Sequence, residues 1–132
     1  MSVRSEDRGL YVERSSENPI LIPKNTNIWE ADSVFNGCPV EYDGAVHMVY
    51  RAVSAPQNVP GMPSQISTIG YAKSADGVHF TGRRQFIVPE HDWEKFGCED
   101  PRVVRVGDRF FIFYTALSKY PFEADGIKVG LA

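Results

Sequence analysis

A chain of 132 residues is long enough to bury a core of its own but short for a closed ring of several sheets. Hydrophobic residues at 42% and charged residues at 23% exclude a disordered tail, and a net charge of -3 with scattered arginines leaves no basic field for a nucleic-acid backbone. The two cysteines, Cys38 and Cys98, stand far apart, which excludes a secreted disulfide framework and fits a reducing, cytoplasmic setting.

The opening stretch is polar and charged where a signal peptide needs an apolar run of roughly 7–15 residues, so neither export nor membrane anchoring is expected. Asn18-Pro19 and Pro23 predict an extended, turn-rich arm over residues 1–34 that wraps a larger body. From Val40 short apolar runs alternate with turn signals. Val40–Tyr42, the turn Asp43-Gly44 and Val46–Ala52 predict a β-hairpin. After a loop carrying Pro56, Pro60, Gly61 and Pro63, Ile66–Ala72 predicts a third strand; the turn Ala75-Asp76-Gly77 leads to Val78–Phe80, which opens a fourth. Residues 35–96 therefore form one four-stranded meander with its connecting loop.

Residues 97–132 begin the same order again. Pro101–Val106, the turn Gly107-Asp108 and Arg109–Ala116 mirror the first hairpin, with Tyr114-Thr115-Ala116 standing where Tyr50-Arg51-Ala52 stood. A third strand, Ile127–Ala132, aligns Val129-Gly130-Leu131-Ala132 with Ile69-Gly70-Tyr71-Ala72. Repeated units of four short strands predict an all-β fold of the propeller type, here roughly one and a half blades from the N-terminal part of a longer protein. A small β-sandwich with two similar hairpins is the alternative.

The chemistry concentrates at Gly97-Cys98-Glu99-Asp100-Pro101-Arg102-Val103. Two adjacent carboxylates precede a proline, and the pre-proline position predicts an extended Asp100 on a stiff mount. At a strand entry facing a channel, partial desolvation favours the protonated carboxyl that a general acid needs. The plainer alternative is a solvated turn pair, with Arg102 as a surface partner. In the preceding unit Val34-Phe35-Asn36-Gly37-Cys38-Pro39 occupies the equivalent entry, with an amide in place of the carboxylates, and Arg51 interrupts an apolar strand, so its guanidinium must snorkel or meet an acceptor. His47, His79 and His91 show no metal-ligand spacing, and neither a G-x-S-x-G elbow nor a glycine-rich phosphate loop is present. No metal or cofactor is expected. Cys38 and Cys98 are read as matching points of the two units and as buried free thiols; Trp93 serves packing or a sugar platform.

At Phe35-Asn36-Gly37, Tyr50-Arg51-Ala52 and Glu99-Asp100-Pro101-Arg102-Val103 the sequence resembles glycoside hydrolase family 130, the β-mannoside phosphorylases and related β-mannosidases. Asn18-Pro19-Ile20-Leu21, Trp29-Glu30, Tyr71-Ala72-Lys73-Ser74 and Tyr114-Thr115-Ala116 follow in the matching order. The resemblance implies a five-bladed propeller whose central pocket takes a terminal β-mannosyl unit of an oligosaccharide. It implies Asp100 as general acid and Asn36 and Arg51 as the mannose grip, with Glu99 and Arg102 supporting the substrate site. Inorganic phosphate is the implied co-substrate of a phosphorylase; a hydrolase needs a base for water instead, and the implied phosphate-binding residues lie in later blades. A carbohydrate-binding module, an inactive fragment and a homo-oligomer are the further alternatives.

Overall fold

A computed structural model describes residues 11–132, and the part of the expected arm over residues 1–10 lies outside the described residues. From Tyr11 to Asn27 the chain forms neither helix nor strand. Seven strands follow: β1 (Ser33–Tyr42), β2 (Ala45–Val53), β3 (Ser67–Ser74), β4 (Thr81–Ile87), β5 (Gly97–Val106), β6 (Arg109–Leu117) and β7 (Ile127–Leu131). They make two antiparallel sheets, a four-stranded one in the order β1-β2-β3-β4 and a three-stranded one in the order β5-β6-β7. The all-β expectation and both tight hairpins hold. Asp43-Gly44 and Gly107 take positive φ at their turns, the geometry that lets two residues reverse a twisted strand pair.

One strand expectation is corrected. Val78–Phe80 does not open the fourth strand, which starts at Thr81. The side chain of Asp76 accepts hydrogen bonds from the N–H groups of Val78 and His79, so those donors close a turn and are lost to a ladder. The carboxyl of Asp76 is held well below the usual carboxylate range by the His79 N–H first, then by the His79 ring, the Val78 N–H and Ser74.

The first sheet is a middle layer. Consecutive residues Met48, Val49 and Tyr50 of β2 are all buried, so both of its faces are covered. One face carries Val49 and Ile69 against Cys98, Ile112, Tyr114 and Ala116 of the second sheet. The other carries Met48, Tyr50, Ala52 and Ala72 against Ile20, Leu21 and Trp29 of the arm and 3-10 turn, with Phe80. The second sheet is covered on one face only. Phe113, Val129 and Leu131 stand at the positions of Val49, Ile69 and Tyr71 but are 42%, 80% and 55% exposed. Alternate covering of stacked sheets is what repeated blades require and a closed two-layer sandwich lacks.

Each sheet also carries the same buried latch. Short 3-10 turns at Ile28–Glu30 and Asp92–Glu94 bring Glu30 and Glu94 beneath the sheets, where they accept the hydroxyls of Tyr50 at 2.9 Å and Tyr114 at 2.7 Å. Trp29 and Trp93 pack on those tyrosines, each with ring centroids 6.4 Å apart. Burial, reinforced by the glutamates, pushes both phenols up, so they act as neutral donors. A Cβ on Gly70 would fall 2.5 Å from the Tyr50 ring and 2.8 Å from that of Trp29, and one on Gly130 would fall 2.4 Å from Tyr114. Gly70→Ala is therefore expected to destabilise the fold by about 1–3 kcal/mol, because the fully buried Tyr50 ring has nowhere to go. An unchanged urea midpoint would show that the ring has room.

No helix among the described residues is long and apolar enough to cross a membrane.

Candidate active site

The site is built on two β-bulges. In β1 Phe35 faces Arg51 and Cys38 faces Val49, so Asn36 and Gly37 share one partner, Tyr50. In β5 Glu99 faces Thr115 and Arg102 faces Phe113, so Asp100 and Pro101 share Tyr114. The bulge residues Asn36 and Asp100, 64 positions apart, both adopt positive φ, 50° and 51°. Asn and Asp tolerate that left-handed backbone better than other non-glycine residues, and a bulge of this kind re-aims a side chain. Asp100 is therefore not extended, as its place before proline predicts; the extra residue in β5 overrides that preference. Proline still matters, because Pro101 is fully buried and anchors the bulge while Asp100 turns the other way. Edge strands and bulges are also where a sheet accepts proline.

Four of the five expected site residues meet. The Asn36 amide donates to Asp100 Oδ1 at 2.6 Å, across the gap between the sheets. Arg51 lies between the carboxylates, with Nη2 2.5 Å from Glu99 Oε1 and Nη1 3.5 Å from Asp100 Oδ1. Its Nε donates to Ser67 Oγ at 3.1 Å, and its guanidinium carbon sits 4.9 Å from the centroid of the Phe35 ring. The polar interruption of β2 is thus answered by acceptors of this chain. Asp100, at 36% side-chain exposure, is the open member, whereas Glu99 at 15% is the sheltered one. A reacting group can reach the first and not readily the second.

Arg102 does not join them. It is exposed, and its Nη1 donates to the Pro101 carbonyl at 2.8 Å, bracing the bulge from outside. Ser67, which orients Arg51, carries no motif and has no signal in the sequence; only the β2–β3 register, with Val53 opposite Ser67, brings it there.

The other candidates have different tasks. Trp93 packs on Tyr114 and stacks with His91, the same place Trp29 takes on Tyr50, so it belongs to the latch. Cys38 and Cys98 are not matching points. Cys38 lies just after the first bulge, opposite Val49, and Cys98 lies before the second, opposite Ala116. Both thiols are free; Cys38 is half-buried and Cys98 buried. Burial first, then the charge of Glu94, pushes the Cys98 thiol up, which makes it a core group and a poor nucleophile. Among the described residues no group of three or more His, Cys, Asp or Glu is arranged to hold a metal.

The sequence model of glycoside hydrolase family 130, described as beta-1,4-mannooligosaccharide phosphorylase, matches residues 11–127. The chain belongs to this family. A 1,2-beta-oligomannan phosphorylase of Thermoanaerobacter sp. (strain X514) is 36% identical over 108 residues, which are 80% of this chain and 36% of that protein. A beta-1,2-mannobiose phosphorylase of the same organism is 32% identical over 77% of this chain and 36% of its own length. The structure of the Listeria innocua beta-1,2-mannobiose phosphorylase in complex with beta-1,2-mannobiose superposes with a TM-score of 0.70 at 25% identity, over 89% of this chain and 46% of that one. The chain thus spans little more than a third of the length of the curated family 130 relatives it matches. Its two sheets are a portion of the family's propeller fold.

Proposed function

We propose that this chain forms the acid-bearing part of an inverting β-mannoside phosphorylase built as a five-bladed propeller, with residues 35–96 as one blade and residues 97–132 as part of the next. Asp100 is the general acid. Asn36 and Arg51 grip the terminal mannosyl unit, and Glu99 and Ser67 hold Arg51 in plane. The observation that carries the reading is the meeting of Asn36, Arg51 and Asp100 at two bulges that point into one gap. The names of the relatives, phosphorylases of 1,2-linked mannosides, supply the substrate class.

Phosphate attacks the anomeric carbon from the face opposite the leaving oxygen, and the glycosidic C–O bond breaks with inversion. Asp100 gives its proton, through a sugar hydroxyl, to the departing oxygen, so the products are α-mannose 1-phosphate and the shortened acceptor. Phosphate is already a nucleophile and needs no base, whereas inverting hydrolysis needs a second carboxylate about 6.5–9.5 Å away across the sugar. Glu99 does not fill that place, because the same guanidinium holds it beside Asp100. The attacking group therefore comes from outside this cluster.

The test is product analysis with the complete protein on β-1,2- and β-1,4-mannobiose, with and without inorganic phosphate. Mannose 1-phosphate formed only when phosphate is present is the expected result. Free mannose at the same rate without phosphate would replace the reading with hydrolysis. Sugar binding without turnover would replace it with a binding role.

A further inference from the structure

Resting on the assignment of Asp100 as the acid, we infer that the buried Glu94–Tyr114 pair is a positioning device for that acid, and that Glu30–Tyr50 does the same for Asn36. Tyr114 is the single β6 residue opposite the Asp100–Pro101 bulge. Its hydroxyl donates to Glu94 Oε2 at 2.7 Å, and the same oxygen accepts from the thiol of Cys98, two residues before Asp100, at 3.5 Å. The other oxygen of Glu94 accepts the Glu90 N–H at 3.1 Å. One carboxylate thus ties together the strands on either side of the bulge. Such a tie has a specific task, since a one-residue slip of β5 on β6 would turn Asp100 to the opposite face.

The duplication makes the case stronger. Tyr50 is likewise the single residue opposite the Asn36–Gly37 bulge, and its hydroxyl is bound by a glutamate at the same spacing in the sequence. The two carboxylates differ in their surroundings. Glu30 Oε1 lies 3.6 Å from Arg83 Nη1, whereas no cation lies within ion-pair distance of Glu94 among the described residues. Burial works against the charge of Glu94, but the Tyr114 hydroxyl, the Glu90 N–H and the Cys98 thiol together hold its carboxyl below the usual range. The charge of His91 adds to these donors, but a buried carboxylate with no ion-pair partner is a poor way to gain stability, since an apolar replacement of the same shape does as well or better. Geometry at the bulge is what it supplies.

Tyr114→Phe in the complete protein keeps the ring that fits over Gly130 and packs on Trp93, and removes only the tie. We expect kcat to fall about 10-fold with KM nearly unchanged, as a small misplacement of a catalytic group produces. The loss should be larger for mannobiose than for an aryl mannoside with a good leaving group, because only the former needs its proton delivered on time; a merely structural role would lower both alike. Tyr50→Phe should instead raise KM and spare kcat. Glu94→Gln, which retains shape and loses charge, is measured alongside and should shift kcat in the same sense if Tyr114→Phe does not fold. Asp100→Asn is run in parallel. Normal turnover by that variant would remove the acid assignment itself, whereas an inactive Asp100→Asn beside a folded Tyr114→Phe or Glu94→Gln with unaltered kcat and leaving-group dependence would overturn this inference alone.

Discussion

Asp100→Asn in the complete protein is expected to lower kcat on β-mannobioses by about 10²–10⁴-fold, the span that a positioned general acid contributes. The fold should not notice. Asparagine tolerates the positive φ of this position as aspartate does, and its amide oxygen still accepts from Asn36 and faces Arg51. What disappears is the transferable proton. An aryl mannoside whose leaving oxygen departs as a stable anion should therefore be spared most of the loss, and the ratio of the two rates measures the acid directly. Steady-state kinetics on both substrates, with a thermal melt as control, checks it. Turnover of mannobiose at the original rate would mean that the acid lies elsewhere.

Arg51→Lys carries the second large effect. The guanidinium serves Ser67, Glu99 and Asp100 with three different nitrogens and lies against Phe35, a set of contacts that needs a rigid planar fork. A lysine ammonium is a point charge that can satisfy one carboxylate and leave the other loose. Hydrogen bonds to charged groups are worth about 1.5–3 kcal/mol, which corresponds to a loss in kcat/KM of about 10–150-fold, mostly as raised KM. Adding Glu99→Gln to Arg51→Lys should recover stability, because the sheltered carboxylate no longer lacks its partner, but not sugar affinity. Equal KM values for Arg51→Lys and the parent would remove Arg51 from the mannose grip.

Most of the architecture was legible because turn chemistry and strand alternation are local signals. Asp43-Gly44 and Gly107-Asp108 mark both tight hairpins, and the repeat of Tyr-x-Ala near the end of β2 and β6 marks the duplication. The gathering of Asn36, Arg51, Glu99 and Asp100 was legible through the repeat, since equivalent entries of neighbouring sheets lie side by side. Other features depend on partners distant in sequence. The bulges were invisible because an extra residue announces itself only through the register of the opposite strand, which is why β1 and β5 start earlier than their apolar runs suggest and why Asp100 is not extended. Arg102 adjoins the cluster in sequence, yet it turns outward and donates to the Pro101 carbonyl instead of joining it. The latch had a signal that could have been found, a Trp-Glu pair before each bulge at a constant offset from it. That offset also shows why pairing Cys38 with Cys98 fails, since the two cysteines do not share it.

The amide of Asn36 and the carboxyl of Asp100 belong to different sheets, and the layer between those sheets is a few side chains thick, chiefly Val49, Ile69, Cys98 and Ala116. That layer works as a shim. Thickening or thinning it by one methyl group would change the gauge of the cleft without touching Asn36, Arg51 or Asp100. A substitution inside that layer can therefore alter the spacing of Asn36 and Asp100, out of sight of a comparison confined to the residues that line the cleft.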